Sequence, residues 1–337
     1  MPTIRDVAKE AGLSPACVSR ILNNDSSLQV TPDTRRRVIE TAKKMGYVRK
    51  PKSVSKAAFK LGILQWFSAK DELEDDYYLK IRRGIEDFCI KNSIEVVRAY
   101  RTDGGYKTTL GECDGIVCVG KFSKKDADRL IKFKSNIVFV DMKVKHPGVT
   151  TVNIDLKSAS EDILGYLKKL GHERIAFLGG IEYASGSEVM EDTRHKTYVR
   201  FMKKNKLPYA QYKREGQFNI KSGYEMMKDI LENAAPLPTA VFAASDAIAI
   251  GAMRAIKEKG LKIPDDISVA GINDDDMSSY TQPALTTMHA PSYDMGQHAA
   301  NLVYVAGNLD IKTPLKVNIP CTMIVRESCA TCTKTGN

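Results

Sequence analysis

From Leu61 onward the chain alternates short apolar runs with amphipathic segments, and that alternation restricts it to an α/β fold. LGILQWF, IEVVRAY, DGIVCVG, SNIVFVD, RIAFLGG, TAVFAAS and DISVAGI have the length and composition of buried strands. Between them YYLKIRRGIEDFCIKN, SASEDILGYLKKLG, SGYEMMKDILENA and DAIAIGAMRAIKEKG carry helical spacing. Strand–helix alternation predicts parallel sheets with helices on both faces, and the count predicts two such sheets. In folds of this kind ligands sit where strand ends face a crevice.

The residues before Leu61 follow a different pattern. Thr3 caps a helix whose Ile4, Val7, Ala8 and Ala11 form one apolar face, and Gly12 ends it. Ser14 caps a second helix with Pro15 at its first position and Val18, Ile21 and Leu22 as its buried stripe. Thr31-Pro32 opens a third, with Val38, Ile39, Ala42 and Met45 inward and Gly46 closing it. Two short helices across a glycine turn, completed by a third, make an all-α helix-turn-helix unit. Its second helix enters a DNA major groove N-terminus first. The outward positions there are Pro15, Ala16, Cys17, Ser19 and Arg20. Arg20 has the fork that suits a guanine edge, whereas Ser14, Ser19 and the third helix's Arg35 suit phosphates. Charge supports this reading. Lys and Arg outnumber Asp and Glu by 13 to 5 over residues 1–60, but only by 38 to 36 over the other 277. Most of the net +10 therefore lies where a polyanion would bind.

Several chemistries are excluded. No apolar run approaches the roughly 18 residues of a membrane span, and MPTIRDVAKE has no signal-peptide core, so a cytoplasmic protein is expected. The seven cysteines are scattered without a disulfide framework, and the one CxxC, Cys329 to Cys332, falls in a polar tail. Gly115 to Lys121 imitates a phosphate-binding loop by letters, but it lacks the Ser or Thr that holds magnesium and its middle is a strand. The run Asn273-Asp-Asp-Asp276 lacks a calcium-loop pattern and is expected to end a strand and cap the next segment. No nucleophile–base pair or metal-ligand spacing is present, so neither enzyme, metal nor cofactor is expected.

TIRDVAKEAGLSPACVSRILNN resembles the DNA-binding headpiece of the LacI/GalR family, through Val18-Ser19-Arg20 to Asn23. It departs at Cys17, where that family usually has Thr, and a thiol is the poorer donor to phosphate. The resemblance implies that positions 15 and 16 select the operator. Thr3, Asn23 and Tyr47 complete the DNA-facing set. The family's hinge helix, which wedges a leucine into the minor groove, is replaced here by the short Lys-rich VRKPKSVSKAAFK, with Val54 and Ala57 as the groove-facing candidates. The likeness continues through DYYLKIRRGIE, VNIDLKSASEDILGYLKKLGHERIAFLGG, AASDAIAIGAMRAIKEKGLKIPDDISVAGIND, PALTTM and IVRES, over a body similar to periplasmic sugar-binding proteins.

The organisation implied is a helix-turn-helix domain at 1–46, a linker at 47–60, a body at 61–328 and a tail. The body divides into subdomains of about 61–158 plus 290–318 and about 159–289 plus 319–328. Family sugar contacts map onto Asp141, Arg194, Phe218, Ser245 and Asn273. Arg194 is expected to fork onto vicinal hydroxyls and Phe218 to stack. Ser245 stands where Asn is common, and Asn273 where Asp is usual, so an acceptor carboxylate is missing. The resemblance implies a homodimeric repressor of a carbohydrate operon, bound to a pseudo-palindromic operator and released by a sugar, a galactoside by subfamily likeness. The alternative is a regulator activated by a purine or sugar phosphate corepressor.

Overall fold

The computed structural model describes residues 2–22, 28, 30–47, 59–67, 76–184, 188–309, 311 and 313–333. The chain forms two compact units, Met1–Ala57 and Ala58–Asn337.

The first unit holds α1 (Ile4–Ala11), α2 (Pro15–Leu22) and α3 (Pro32–Lys44). Thr3 and Asp6 cap α1 reciprocally: the Asp6 carboxylate accepts the Thr3 N–H at 2.7 Å while Thr3 Oγ1 accepts the Asp6 N–H at 3.4 Å. Gly12, at φ 63°, supplies the left-handed turn into α2. Val7, Ala8, Ala11, Val18, Ile21, Val38 and Ala42 are the core. Ile39 is not part of it. It stands 47% exposed, because Val38 and Ala42 already occupy the inward face of α3 and a helix position adjacent to Val38 turns about 100° away.

The second unit contains two six-stranded sheets. The first runs β11–β5–β4–β3–β1–β2, all parallel, from β1 (Lys60–Gln65), β2 (Glu95–Tyr100), β3 (Gly115–Val119), β4 (Ile137–Val140), β5 (Thr150–Ile154) and β11 (Lys316–Ile319). The second runs β12–β10–β9–β8–β6–β7, from β6 (Ile175–Gly180), β7 (Lys213–Gly216), β8 (Ala240–Ala243), β9 (Ser268–Asn273), β10 (Thr286–His289) and β12 (Thr322–Ile324). It departs from an all-parallel sheet only at its edge, where β12 is antiparallel to β10. The central strands are buried along their length, which is why they read as continuous apolar runs.

Helices cover both faces of each sheet. In the first lobe α4 (Asp76–Lys91) crosses α11 (Ser292–Leu309) at backbone contact. A Cβ on Gly84 would lie 2.0 Å from the Tyr293 carbonyl, and one on Gly296 2.0 Å from that of Ile81. In the second lobe α7 (Leu156–Lys169), α8 (Thr193–Lys204), α9 (Ile220–Asn233) and α10 (Asp246–Glu258) flank the sheet. The chain passes between lobes three times: from β5 into α7, from β10 into α11, and from β11 to β12 through Pro320 and Cys321. Leu156 and Cys321, at two of these crossings, pack against the cores of both lobes.

Candidate functional site

Each parallel strand delivers the residue after its last one to the same edge of its sheet, and in this unit the two edges face each other across a cavity of about 550 Å³. All five body residues singled out from the sequence, Asp141, Arg194, Phe218, Ser245 and Asn273, line it.

Asp141 follows β4 in the left-handed region, at φ 60°, and Asn273 ends β9 at φ 127°. Both are costly conformations for side-chain-bearing residues, of the kind that collects at binding sites. The Asp141 carboxylate accepts from Tyr78 Oη at 2.8 Å and from Lys121 Nζ at 2.7 Å, with Tyr77 Oη at 3.4 Å. Burial, then the Asp141 charge, pushes the Tyr78 phenol well above its ordinary value and keeps it a donor. Burial pulls Lys121 down, but Asp141 and Glu182 outweigh it and hold the ammonium above its usual range.

Arg194 lies in the first turn of α8 and is 8% exposed. Its Nε donates to both oxygens of Asp192, at 2.8 and 3.1 Å, and Nη1 to the Ala244 carbonyl at 2.9 Å. The fork is thus half committed, and among the described residues Nη2 has no protein acceptor. Phe218 lines the same cavity. Its ring lies under the Arg194 guanidinium, 4.6 Å from centroid to Cζ, and against Gly180, whose added Cβ would meet ring carbons at 2.2 Å. Much of its surface is therefore already covered by protein. The other aromatic surface of the cavity comes from Trp66, Phe67, Tyr77, Tyr78 and Tyr183. Ser245 caps α10, accepting the Ile248 N–H at 3.3 Å. The acidic run after β9 does not cap by side chain: Asp274 instead accepts from Arg326 Nη2 at 2.6 Å and pairs with His289 Nδ1 at 3.1 Å.

Lys121, Glu182 and Asp192 were not singled out from the sequence. The usable signal was positional, since Trp66, Lys121, Asp141, Glu182, Gln217 and Ser245 each lie one or two residues beyond a strand.

In the first unit Pro15, Ala16 and Arg20 are exposed, while Ser19 and Arg35 are half-buried. Cys17 is half-buried against the three-helix core, and Tyr47 packs there too. Ser14 Oγ accepts the Cys17 N–H at 3.2 Å, so its first role is to cap α2. Asn23, Val54 and Ala57 lie outside the described residues. Among the described residues no helix is long and apolar enough to cross a membrane, and no group of acidic, His or Cys side chains has metal-site geometry.

Residues 3–50 match a family model described as bacterial regulatory proteins, lacI family, and residues 164–329 match one described as a periplasmic binding protein-like domain. The HTH-type transcriptional regulator GalR of Streptococcus thermophilus is 34% identical over 322 residues, 94% of this chain and 95% of that protein. Among solved structures, the lac repressor dimer bound to operator and an anti-inducer superposes with a TM-score of 0.71 at 24% identity, covering 98% of this chain and 99% of that one. A transcriptional regulator CelR–cellobiose complex superposes with a TM-score of 0.70 at 23% identity, covering 97% and 100%.

Proposed function

We propose that this chain, which belongs to the lacI family and is a DNA-binding transcription regulator, represses genes for carbohydrate use and is released from its operator by a sugar, in the first instance a galactoside. One observation carries the reading: Asp141, Arg194, Ser245 and Asn273 come from four separate segments in two lobes and converge with aromatic rings on one cavity. Charge-assisted donors and acceptors around apolar ring faces are what a pyranose requires.

The protein acts as a homodimer in the cytoplasm, presenting two first units to a pseudo-palindromic operator. Exposed Met277 and Tyr280, in the turn after β9, offer apolar surface for pairing. Control arises from linkage. A sugar that prefers one closure of the cleft changes operator affinity by the ratio of its affinities for the two states, so a tenfold preference is about 1.4 kcal/mol. Lobe-to-lobe ties span the cleft, and a ligand can act on them: Lys121 to Glu182 at 3.6 Å, Lys80 to Asp275 and Asp276 at 3.8 Å each, and Lys143 Nζ to Thr193 Oγ1 at 3.3 Å.

The test is binding of purified protein to its own upstream DNA at fixed salt, titrated with galactose, lactose and other sugars. Release by a galactoside, lost in Arg194→Ala, supports the proposal. DNA binding that no sugar weakens, or that a purine or sugar phosphate strengthens, overturns the sugar-inducer part.

A further inference from the structure

Glu182 lies two residues beyond β6 and faces Lys121, two residues beyond β3 on the other lobe. Its side chain is 24% exposed to the cavity, and at 3.6 Å the Lys121 ammonium attracts it without a hydrogen bond. No described group donates a hydrogen bond to this carboxylate. Among the described cavity-lining residues it is the one carboxylate that the second lobe contributes, since position 273 carries an amide. Burial pushes the Glu182 carboxyl up and Lys121 pulls it back, as expected for an anion short of donors.

We propose that Glu182 is a ligand-binding carboxylate acting as one unit with Lys121, and that this pair makes the cleft select neutral sugars over sugar acids. The inference rests on the sugar reading above. Lys121 already gives two protons to Asp141, one to its carbonyl at 2.5 Å and one to Oδ2 at 2.7 Å, which leaves one directed across the cleft. A ring hydroxyl seated beside the pair, within hydrogen-bond reach of both atoms, donates to Glu182 and accepts from Lys121, so one group satisfies both lobes. Glu182 also supplies the second-lobe carboxylate that Asn273 lacks. An anionic sugar meets the opposite situation. Asp141 and Glu182 repel it, and the charges of Lys121 and Arg194 are already balanced by Asp141 and Asp192, so their remaining N–H groups are donors to a hydroxyl more than counter-charges for an anion. Among the described lining residues the remaining cation is Arg101, whose guanidinium lies 3.9 Å from Asp126 and whose Nε is buried without an acceptor.

The experiment is calorimetric titration of the full chain with galactose, glucose, galacturonate and glucuronate. The wild type is expected to bind a neutral hexose at least about tenfold tighter than its uronic acid. Glu182→Gln, which keeps size and shape, is expected to weaken the neutral sugar by about tenfold or more and to narrow that preference. Lys121→Met is expected to weaken it similarly, with the double variant losing no more than the worse single one. Equal thermal unfolding of Glu182→Gln and wild type separates lost binding from lost folding. A wild type that binds sugar while Glu182→Gln stays within about twofold of it overturns this inference alone. So does a wild type that prefers the uronic acid. A wild type that binds no sugar overturns it together with the reading on which it rests.

Discussion

Asp192 holds Arg194 at two points with one oxygen: Oδ1 accepts the Arg194 backbone N–H at 2.9 Å and its guanidinium Nε at 2.8 Å. One carboxylate therefore caps α8 and aims a buried cation into the cleft. Asp192→Ala is expected to cost about 1 kcal/mol of stability through the lost cap. Ligand affinity should fall by roughly tenfold as Arg194 loses its orienting partner. Denaturant unfolding reads the first effect and calorimetry with the sugar that the wild type binds reads the second. Unchanged affinity would show that the Ala244 carbonyl alone suffices to aim the guanidinium.

Gly180→Ala places a methyl group 2.2 Å from carbons of the Phe218 ring. The ring must move, and the Arg194 guanidinium stacked on it with it. A destabilisation of about 1–3 kcal/mol is expected from overpacking. A larger proportional loss should appear in ligand binding than in operator binding. Equal losses in both would place the damage in folding rather than in the cleft.

Asp246 is fully buried and accepts from Ser278 Oγ at 2.7 Å, Thr287 Oγ1 at 2.6 Å and the Asp275 N–H at 2.8 Å. It ties the start of α10 to the turn after β9 and to β10. Asp246→Ala strands two buried hydroxyls and a part-buried N–H and is expected to cost about 3–5 kcal/mol, measured by urea unfolding. A loss under about 1 kcal/mol would mean that water replaces the carboxylate.

His172 is 2% exposed, with Nε2 3.1 Å from the Ala330 carbonyl and Nδ1 3.0 Å from Thr239 Oγ1. Burial lowers its pKa from the ordinary 6.5, against the Ala330 hydrogen bond that raises it. A depressed histidine means that the unfolded chain binds the proton first. Its contribution is present in full above pH 6.5 and is lost as pH falls through that value toward the lowered one. Unfolding midpoints measured from about pH 7.5 to about pH 5 should therefore fall more steeply in the wild type than in His172→Gln. Parallel curves would refute the assignment.

In the first unit, Arg20→Ala is expected to cost about 1–3 kcal/mol of operator affinity and to relax preference at one base pair. Arg35→Ala should weaken all sequences alike and reduce the salt slope by about one. Binding measured on two operators at three salt concentrations separates the roles. Identical profiles for the two variants would remove the distinction between base and phosphate contacts.

The central strands of both sheets were legible because burial on two faces leaves an uninterrupted apolar run. β7, β11 and β12 were not. As edge or near-edge strands they are half-exposed and carry Lys213, Arg214, Lys316 and Thr322. β5 and β10 hid for another reason, since their threonines are buried but satisfied: Thr151 N–H by the Leu315 carbonyl and Thr287 by Asp246. α6 (Lys124–Phe133) buries only Ala127 and Leu130, and α8 buries only Tyr198 and Met202 among its apolar residues, so neither shows a long apolar stripe between its many charges. The cleft residues reached by resemblance were Asp141 to Asn273. Glu182 and Lys121 carry no motif, and only the placement of strand ends brings them together.

Residues 316–324 close both sheets. β11 pairs with β5 in one lobe and β12 with β10 in the other, with two residues between them. Neither sheet is therefore complete in a nascent chain until residues 316–324 have left the ribosome. A product truncated before Lys316 bares strand edges on β5 and β10 at once. Such a fragment would present two unpaired sheet edges, each a template on which another strand can add.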